Sequence, residues 1–410
     1  MSTTPTAPPT RILSVDAFRG FVMLLMMDSA LRIADMAKQF PGDFIWEQLD
    51  FHTDHVKWTG CSLHDLIQPA FSFLVGVSLP FSITNREERG QGFGWMLFHA
   101  VWRAALLMFL GIFLRSNYAP LTNWTFMDTL TQIGMGYVFL FLLAYSRRQI
   151  VLWIAFVVIV VGYWTAFALH PLPPDDFDYA AVNVKANEPG RFDGFMAHWN
   201  KNANLAADFD LWFLNQFPRG KLAKGQLVAN PFTHERSGYT TLNFIPTLAT
   251  MLLGVIAGMW LRKDWPHIVK IAAFLSLGAA GLGLGLAAEH FEVCPIVKII
   301  WTPAWVLYSG GWTFLMLAAF YALIDLTGFW HWSYPLLVIG ANSIVAYCGY
   351  QLIRGFILSS YKTHLGADVF KLLDGYGDIT WEPLVAGVVV LLTLWLMLYW
   401  MYRNKIFVRI

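Results

Sequence analysis

The chain alternates long apolar runs with polar connectors. A spanning helix needs about 20 mostly apolar residues, because the lipid core is ~30 Å thick and a helix rises ~1.5 Å per residue. On that template ten runs stand out, near 12–34, 62–84, 93–115, 125–145, 149–169, 241–261, 267–288, 303–325, 333–359 and 384–403. Pro303, Pro335 and several glycines interrupt the eighth and ninth. The pattern predicts an all-α polytopic membrane protein with about ten transmembrane helices. A single membrane domain is expected over 12–410, after a disordered Pro/Thr-rich tail at 1–11.

Lys and Arg in alternate short connections set the orientation. Arg86 and Arg89, Arg147 and Arg148, Arg262 and Lys263, and the tail with Arg403, Lys405 and Arg409 fall on one side. The opposite connections are acidic or mixed: 35–61 carries Asp35, Asp43, Glu47, Asp50 and Asp54, and 361–383 carries Asp368, Asp374, Asp378 and Glu382. Both termini are therefore expected in the cytoplasm. The stretch 170–240 is the one long polar excursion, on the outer side, and a connection of that length is usually functional or a lid. No internal repeat is evident.

Composition agrees with the pattern. The 410 residues are 57% hydrophobic and 13% charged, which lipid tolerates and water does not. A net charge of +1 provides no field for nucleic acid. Many of the 19 tryptophans, such as Trp58, Trp124, Trp265, Trp301, Trp381 and Trp400, stand at run ends, as an interfacial belt requires. Three cysteines are too few and too scattered for a disulfide framework or a zinc site. Cys61 and Cys294 share the outer side but are read as unbridged. The N-terminus lacks a basic signal region, and the first run, carrying Asp16 and Arg19, is read as a retained helix.

Ionisable groups inside spans cost at least ~2.5–3.5 kcal/mol each near the bilayer centre, so each demands a reason. Asp16 and Arg19 stand at i, i+3 and can pair, either to fix packing or to bind a ligand. Asp28 is a lone carboxylate at the outer end of the same run. In HVKWTGCSLHDLIQPAFSFLVG (55–76), His55 and Trp58 precede the second run, His64 and Asp65 begin it, and Gln68 enters it. A His held by an Asp suits a general base acting on a hydroxyl or amine. His64 competes with His55 for that role, but adjacent residues on a helix point about 100° apart, so a His64–Asp65 pair is poor. His52 reads as a solvated loop residue, and no metal site is expected. Arg103, Gln132, Asn243, Asn342, Gln351 and Arg354 add polar groups to later runs; Arg103 and Arg354 need partners or a cavity, or they snorkel to an interface.

Taken together, SVDAFRG (14–20), HVKWTG (55–60) and DLIQPAFSFLVGVS (65–78) resemble the heparan-α-glucosaminide N-acetyltransferase family of transmembrane acyltransferases. FIPTLATMLLGVIAG (244–258), KIIWTPAWVLYSGG (298–311) and PLLVIGANSIVAY (335–347) look like its later signatures, in order. The resemblance covers about residues 11–350. It implies acetylation of an amino sugar or other glycan acceptor on the outer side, with acetyl-CoA as co-substrate and no metal. His55 matches the family's catalytic His and Asp65 its supporting Asp. Asp28 matches a polar position that is usually Asn in the animal enzymes. Arg19, Asp16, Trp58, Gln68, Arg103, Gln132, Asn342 and Arg354 are the expected substrate and CoA contacts. Two departures stand out: a QRIG-like turn reads TQIG at 131–134, and a DPEG-like stretch reads SGYT at 237–240. The expected setting is a bacterial inner membrane, with homodimerisation left open. The competing expectation is a small-solute transporter, which would share the span count and the buried charges but favours repeated halves.

Overall fold

A computed structural model describes residues 12–223, 225–374 and 379–408. The tail at 1–11, Asp378 and Arg409 lie outside the described residues. The helices in chain order are α1 (Leu13–Met27), α2 (Ile33–Ala37), α3 (Phe44–Thr53), α4 (Ile67–Glu88), α5 (Phe93–Ser116), α6 (Thr129–Tyr145), α7 (Gln149–Ala168), α8 (Leu205–Phe213), α9 (Phe244–Leu261), α10 (His267–His290), α11 (Pro303–Tyr321), α12 (Tyr334–Ala341), α13 (Ser343–Leu365) and α14 (Glu382–Arg403). A hairpin, β1 (Gly220–Ala223) with β2 (Gln226–Ala229), is the only sheet among the described residues.

Every apolar run is helical, but not every run is a full span. Among the described residues seven helices are long and apolar enough to cross a membrane, and α12 with α13, bent by 70° at Asn342, would make an eighth. The first and fourth runs fall short of the expected ten: α1 has 15 residues and α6 has 17. Their ends explain why. Asp28 closes α1 into a 3-10 turn, and Asp128 caps α6 by accepting from the backbone N–H groups of Leu130 and Thr131.

The core forms around α9, where 78% of the spanning window is buried, against 22% for α7, α10 and α14 on the periphery. Exposed Val, Ile, Leu and Phe on the outward faces of α5 and α7 suit contact with lipid. In α4 and α9, Gly76 and Gly254 let the two backbones touch. A Cβ added at Gly254 would overlap the Phe73 carbonyl oxygen, and one at Gly76 the Met251 carbonyl oxygen. Such small-residue contacts replace the hydrophobic drive that lipid removes.

The outer excursion is a packed structure. Asn204 caps α8, and Asn202 Nδ2 donates to the carbonyls of Val182 and Glu235 at 2.8 and 2.9 Å. Trp199 is fully buried and stacks on Phe167 of α7. Asp210 accepts from the Thr241 backbone N–H at 2.9 Å, joining the excursion to the start of α9. Burial pushes its carboxyl up to about 6, against the opposing hydrogen bond from Thr241.

Gly254→Val is expected to lower the melting temperature and the folded yield in detergent, by the equivalent of about 1–3 kcal/mol or more. Gly283→Ala, in open space on α10, should leave both unchanged. Equal melting of the two variants would refute the close α4–α9 contact.

Candidate active site

Three separate stretches of chain meet at the mouth of α4. The connector 54–63 is pinned by an isolated bridge between Thr59 and Val297 and by the Gly60 N–H donating to the Ile296 carbonyl at 3.2 Å. That bridge carries Lys298, 233 residues from Asp65, into the site. His55 Nδ1 lies 2.9 Å from Asp65 Oδ1, Lys298 Nζ lies 3.0 Å from His55 Nδ1, and Lys298 Nζ donates to Asp65 Oδ1 at 3.2 Å. The second Asp65 oxygen accepts from the backbone N–H groups of Val56 and Ser62 at 3.2 and 3.0 Å, with the Ser62 hydroxyl also at 3.0 Å.

This crowding fixes the protons. A carboxylate with no accessible surface that faces an ammonium and two amide donors is stable as an anion. Nδ1 can then donate to it while Lys298 gives its own proton to the same oxygen, leaving Nε2 as the unprotonated ring nitrogen. The His55 side chain keeps 45% of its surface accessible and lines a cavity. Its imidazole is held below its ordinary value first by burial and also by the Lys298 charge, with the Asp65 hydrogen bond opposing. The nearby Cys61 thiol is pushed up to about 12 by burial, with Asp65 adding, so it stays protonated. Cys61 and Cys294 are both free.

The cavity has a volume of about 640 Å³. His55, His64, Gln68, Lys298 and Arg354 line it, with Tyr239 from the end of the outer excursion. Arg354 also donates to the Tyr350 hydroxyl at 3.0 Å. A second cavity of about 490 Å³ opens between α1, α4, α5, α6 and α13, lined by Asp16, Arg19, Ser78 and Arg103 among apolar walls. Arg19 contacts Asp16 at 3.2 Å and donates to Ser78 Oγ at 2.6 Å, and Arg103 donates to the Tyr137 hydroxyl at 2.9 Å. One helical turn separates the two spaces. Gln68 of α4 faces the first and Phe71 the second; on α6 the change falls between Thr129 and Ile133, and on α13 between Tyr347 and Ile344. At ~1.5 Å per residue the partition is about 5 Å thick.

Six of the expected site residues thus line a cavity, His55, Gln68 and Arg354 the first and Asp16, Arg19 and Arg103 the second, while Asp65 stands directly behind His55. Asp28 stands behind His64, with its Oδ1 3.2 Å from His64 Nδ1. His64 therefore turns away from Asp65, as adjacency on a helix requires. Trp58, Gln132 and Asn342 line neither cavity. Trp58 is buried beneath Gly190 and Gly238, whose positive φ angles (109° and 83°) let the outer excursion pass closely over the indole ring. Gln132 spends its amide on the carbonyls of Phe126 and Thr240, at 3.0 and 3.2 Å. Asn342 exchanges hydrogen bonds with the backbone of Ile406 and Val408 at 3.0 Å each.

Sequence reasoning missed Lys298. Its signal was present: a lysine opening KIIWTPAWVLYSGG is a cation at an apolar run, 4% exposed in the fold. Arg115 and Asp128, also on the first cavity's wall, were not singled out from the sequence. Among the described residues no cluster of His, Cys, Asp or Glu could hold a metal ion.

No family model matches the chain. Human heparan-alpha-glucosaminide N-acetyltransferase is 25% identical over 98% of this chain, and the mouse protein of the same name 24% identical over 98%. The chain spans about 60% of the length of these curated relatives. Over nearly all of its length, then, this multi-pass helical membrane protein is similar to heparan-alpha-glucosaminide N-acetyltransferase.

Proposed function

We propose that the chain is a transmembrane acetyltransferase that moves an acetyl group from acetyl-CoA to an amino sugar or other glycan acceptor. The observation that carries this is the His55–Asp65–Lys298 cluster on the wall of one cavity, a single helical turn from a second cavity lined by two arginines. Arg19 and Arg103 suit the phosphates of a CoA entering from the end of the bundle expected to face the cytoplasm. The thin pantetheine arm would cross the partition beside Gln68 and present its thioester to His55. The acceptor would enter the first cavity under the roof that Trp58 supports.

The chemistry needs a base that is neutral at working pH. Asp65 fixes the Nδ1 proton, so Nε2 takes the proton of the attacking amine or hydroxyl as its nitrogen or oxygen bonds to the carbonyl carbon. The carbon–sulfur bond breaks and the thiol departs. In the two-step variant, Nε2 attacks the thioester itself, carries the acetyl group, and yields it to the acceptor. Both routes use the same nitrogen in the same orientation. Lys298 serves them by keeping the ring unprotonated and by countering the Asp65 charge.

In full-length protein reconstituted in lipid nanodiscs, His55→Ala is expected to lower transfer of labelled acetyl from acetyl-CoA to glucosamine by about 10²–10⁴-fold. CoA-dependent thermal stabilisation should survive in the variant, which a solute carrier would not show. Full retained transfer would end the assignment of His55.

Lys298→Met tests the tuning of the base. The ammonium beside the ring opposes a second positive charge, so its removal lets His55 hold a proton to higher pH. The acid limb of the kcat/KM profile is therefore expected to move upward in pH. A downward or absent movement would show that Lys298 does not set the ring's protonation.

A further inference from the structure

A second imidazole–carboxylate pair lies beside the first and has no task in the steps above. His64 Nδ1 is 3.2 Å from Asp28 Oδ1, and the His64 ring meets the His55 ring edge-on, with centroids 4.6 Å apart and planes at 62°. Both imidazoles line the first cavity, while Asp28 sits behind His64 with 8% of its surface accessible. The His64–Asp28 contact is not aligned as a hydrogen bond. Among the described residues neither Asp28 oxygen has a hydrogen-bond partner, and neither has His64 Nδ1.

An enclosed carboxylate without donors is unstable as a lone anion. It is tolerated as the counter-ion of an imidazolium, or as the neutral acid beside a neutral ring. In either form the pair holds one transferable proton. The first pair is built oppositely, since burial and Lys298 keep His55 unprotonated. Two touching imidazoles, each backed by its own carboxylate, provide the two positions, one for a base and one for an acid, that acid–base chemistry requires. The charged groups facing the two rings are Asp28, Asp65 and Lys298, with Arg115, Asp128, Glu235 and Arg354 on the same cavity wall.

We infer that the His64–Asp28 pair is the acid partner of the transfer, delivering its proton to the sulfur of the departing CoA while His55 accepts the proton of the attacking amine. This deepens the acetyltransferase reading and rests on it. The amine nitrogen bonds to the carbonyl carbon and gives its proton to His55 Nε2. The carbon–sulfur bond breaks with both electrons on sulfur, which takes the proton held by His64 and Asp28. His55 is then cationic and the second pair anionic, and one proton passing between the touching rings, directly or through a water, restores both.

Nanodisc-reconstituted full-length protein with acetyl-CoA and glucosamine provides the test. His64→Gln is expected to lower kcat/KM about 10²-fold and to remove the basic limb of its pH profile, with CoA-dependent thermal stabilisation intact. Asp28→Asn keeps both imidazoles and should move that limb to lower pH, because the carboxylate no longer favours the imidazolium. A wild-type rate or an unchanged basic limb in His64→Gln overturns the inference. A readout independent of turnover is NMR of histidine-labelled protein, with the His64 signal identified by its loss in His64→Gln. That signal should titrate at lower pH in Asp28→Asn than in the unaltered chain, and identical titrations overturn the inference as well. Retained transfer in His55→Ala would instead remove the base assignment, leaving the NMR comparison to decide on the second pair.

Discussion

Asp65 has no accessible surface, and its two oxygens are met by an imidazole, an ammonium and two backbone amides drawn from three stretches of chain. Its charge is balanced only while all of them are in place. Taking one partner from a buried ion pair costs about 3–5 kcal/mol, because the remaining charge is left without compensation. The connector before α4 and the connector before α11 are therefore bound to one another through a carboxylate at a helix mouth. The Thr59–Val297 bridge supplies the register of that tie. The ring orientation, the cavity and the tie between the two halves of the bundle all depend on this one anion.

The rest of the bundle is arranged around that fixed point. Glycine contacts draw α4 against α9 so closely that the mouth of α4 has little freedom to tilt. The outer excursion closes over Trp58, and the segment leaving that contact carries Glu235, Ser237 and Tyr239 to the cavity. The large residues of the excursion thus serve mainly to hold a roof in place. Trp199 and Asp210 are spent on packing against α7 and α9. Trp212 and Asp208 remain at the surface, the latter 3.1 Å from His170.

Helix positions were legible because lipid imposes one length and one polarity on every span. The same signal runs past the helix ends where a polar residue cuts a run short, as Asp28 and Asp128 do. The His55–Asp65 pairing was legible from a short separation and a shared helix mouth. Lys298 was not, because its approach depends on a bridge between segments more than two hundred residues apart, which no local periodicity encodes. Gln132 and Asn342 show the converse. A polar residue in an apolar run reads as a ligand contact, yet both meet backbone carbonyl or amide groups freed at loop ends and at a helix break. Sequence displays the need for a partner and not its identity.

Asn342 sits where α12 turns into α13, and both of its amide groups are engaged by Ile406 and Val408 after α14. Val408, with Ala341 and Ser343 on either side of the break, also forms part of the second cavity's wall. The angle of that elbow is consequently held by a short stretch of non-helical backbone beyond the last long helix. The width of that chamber is thereby tied to where residues 406–408 lie against the break.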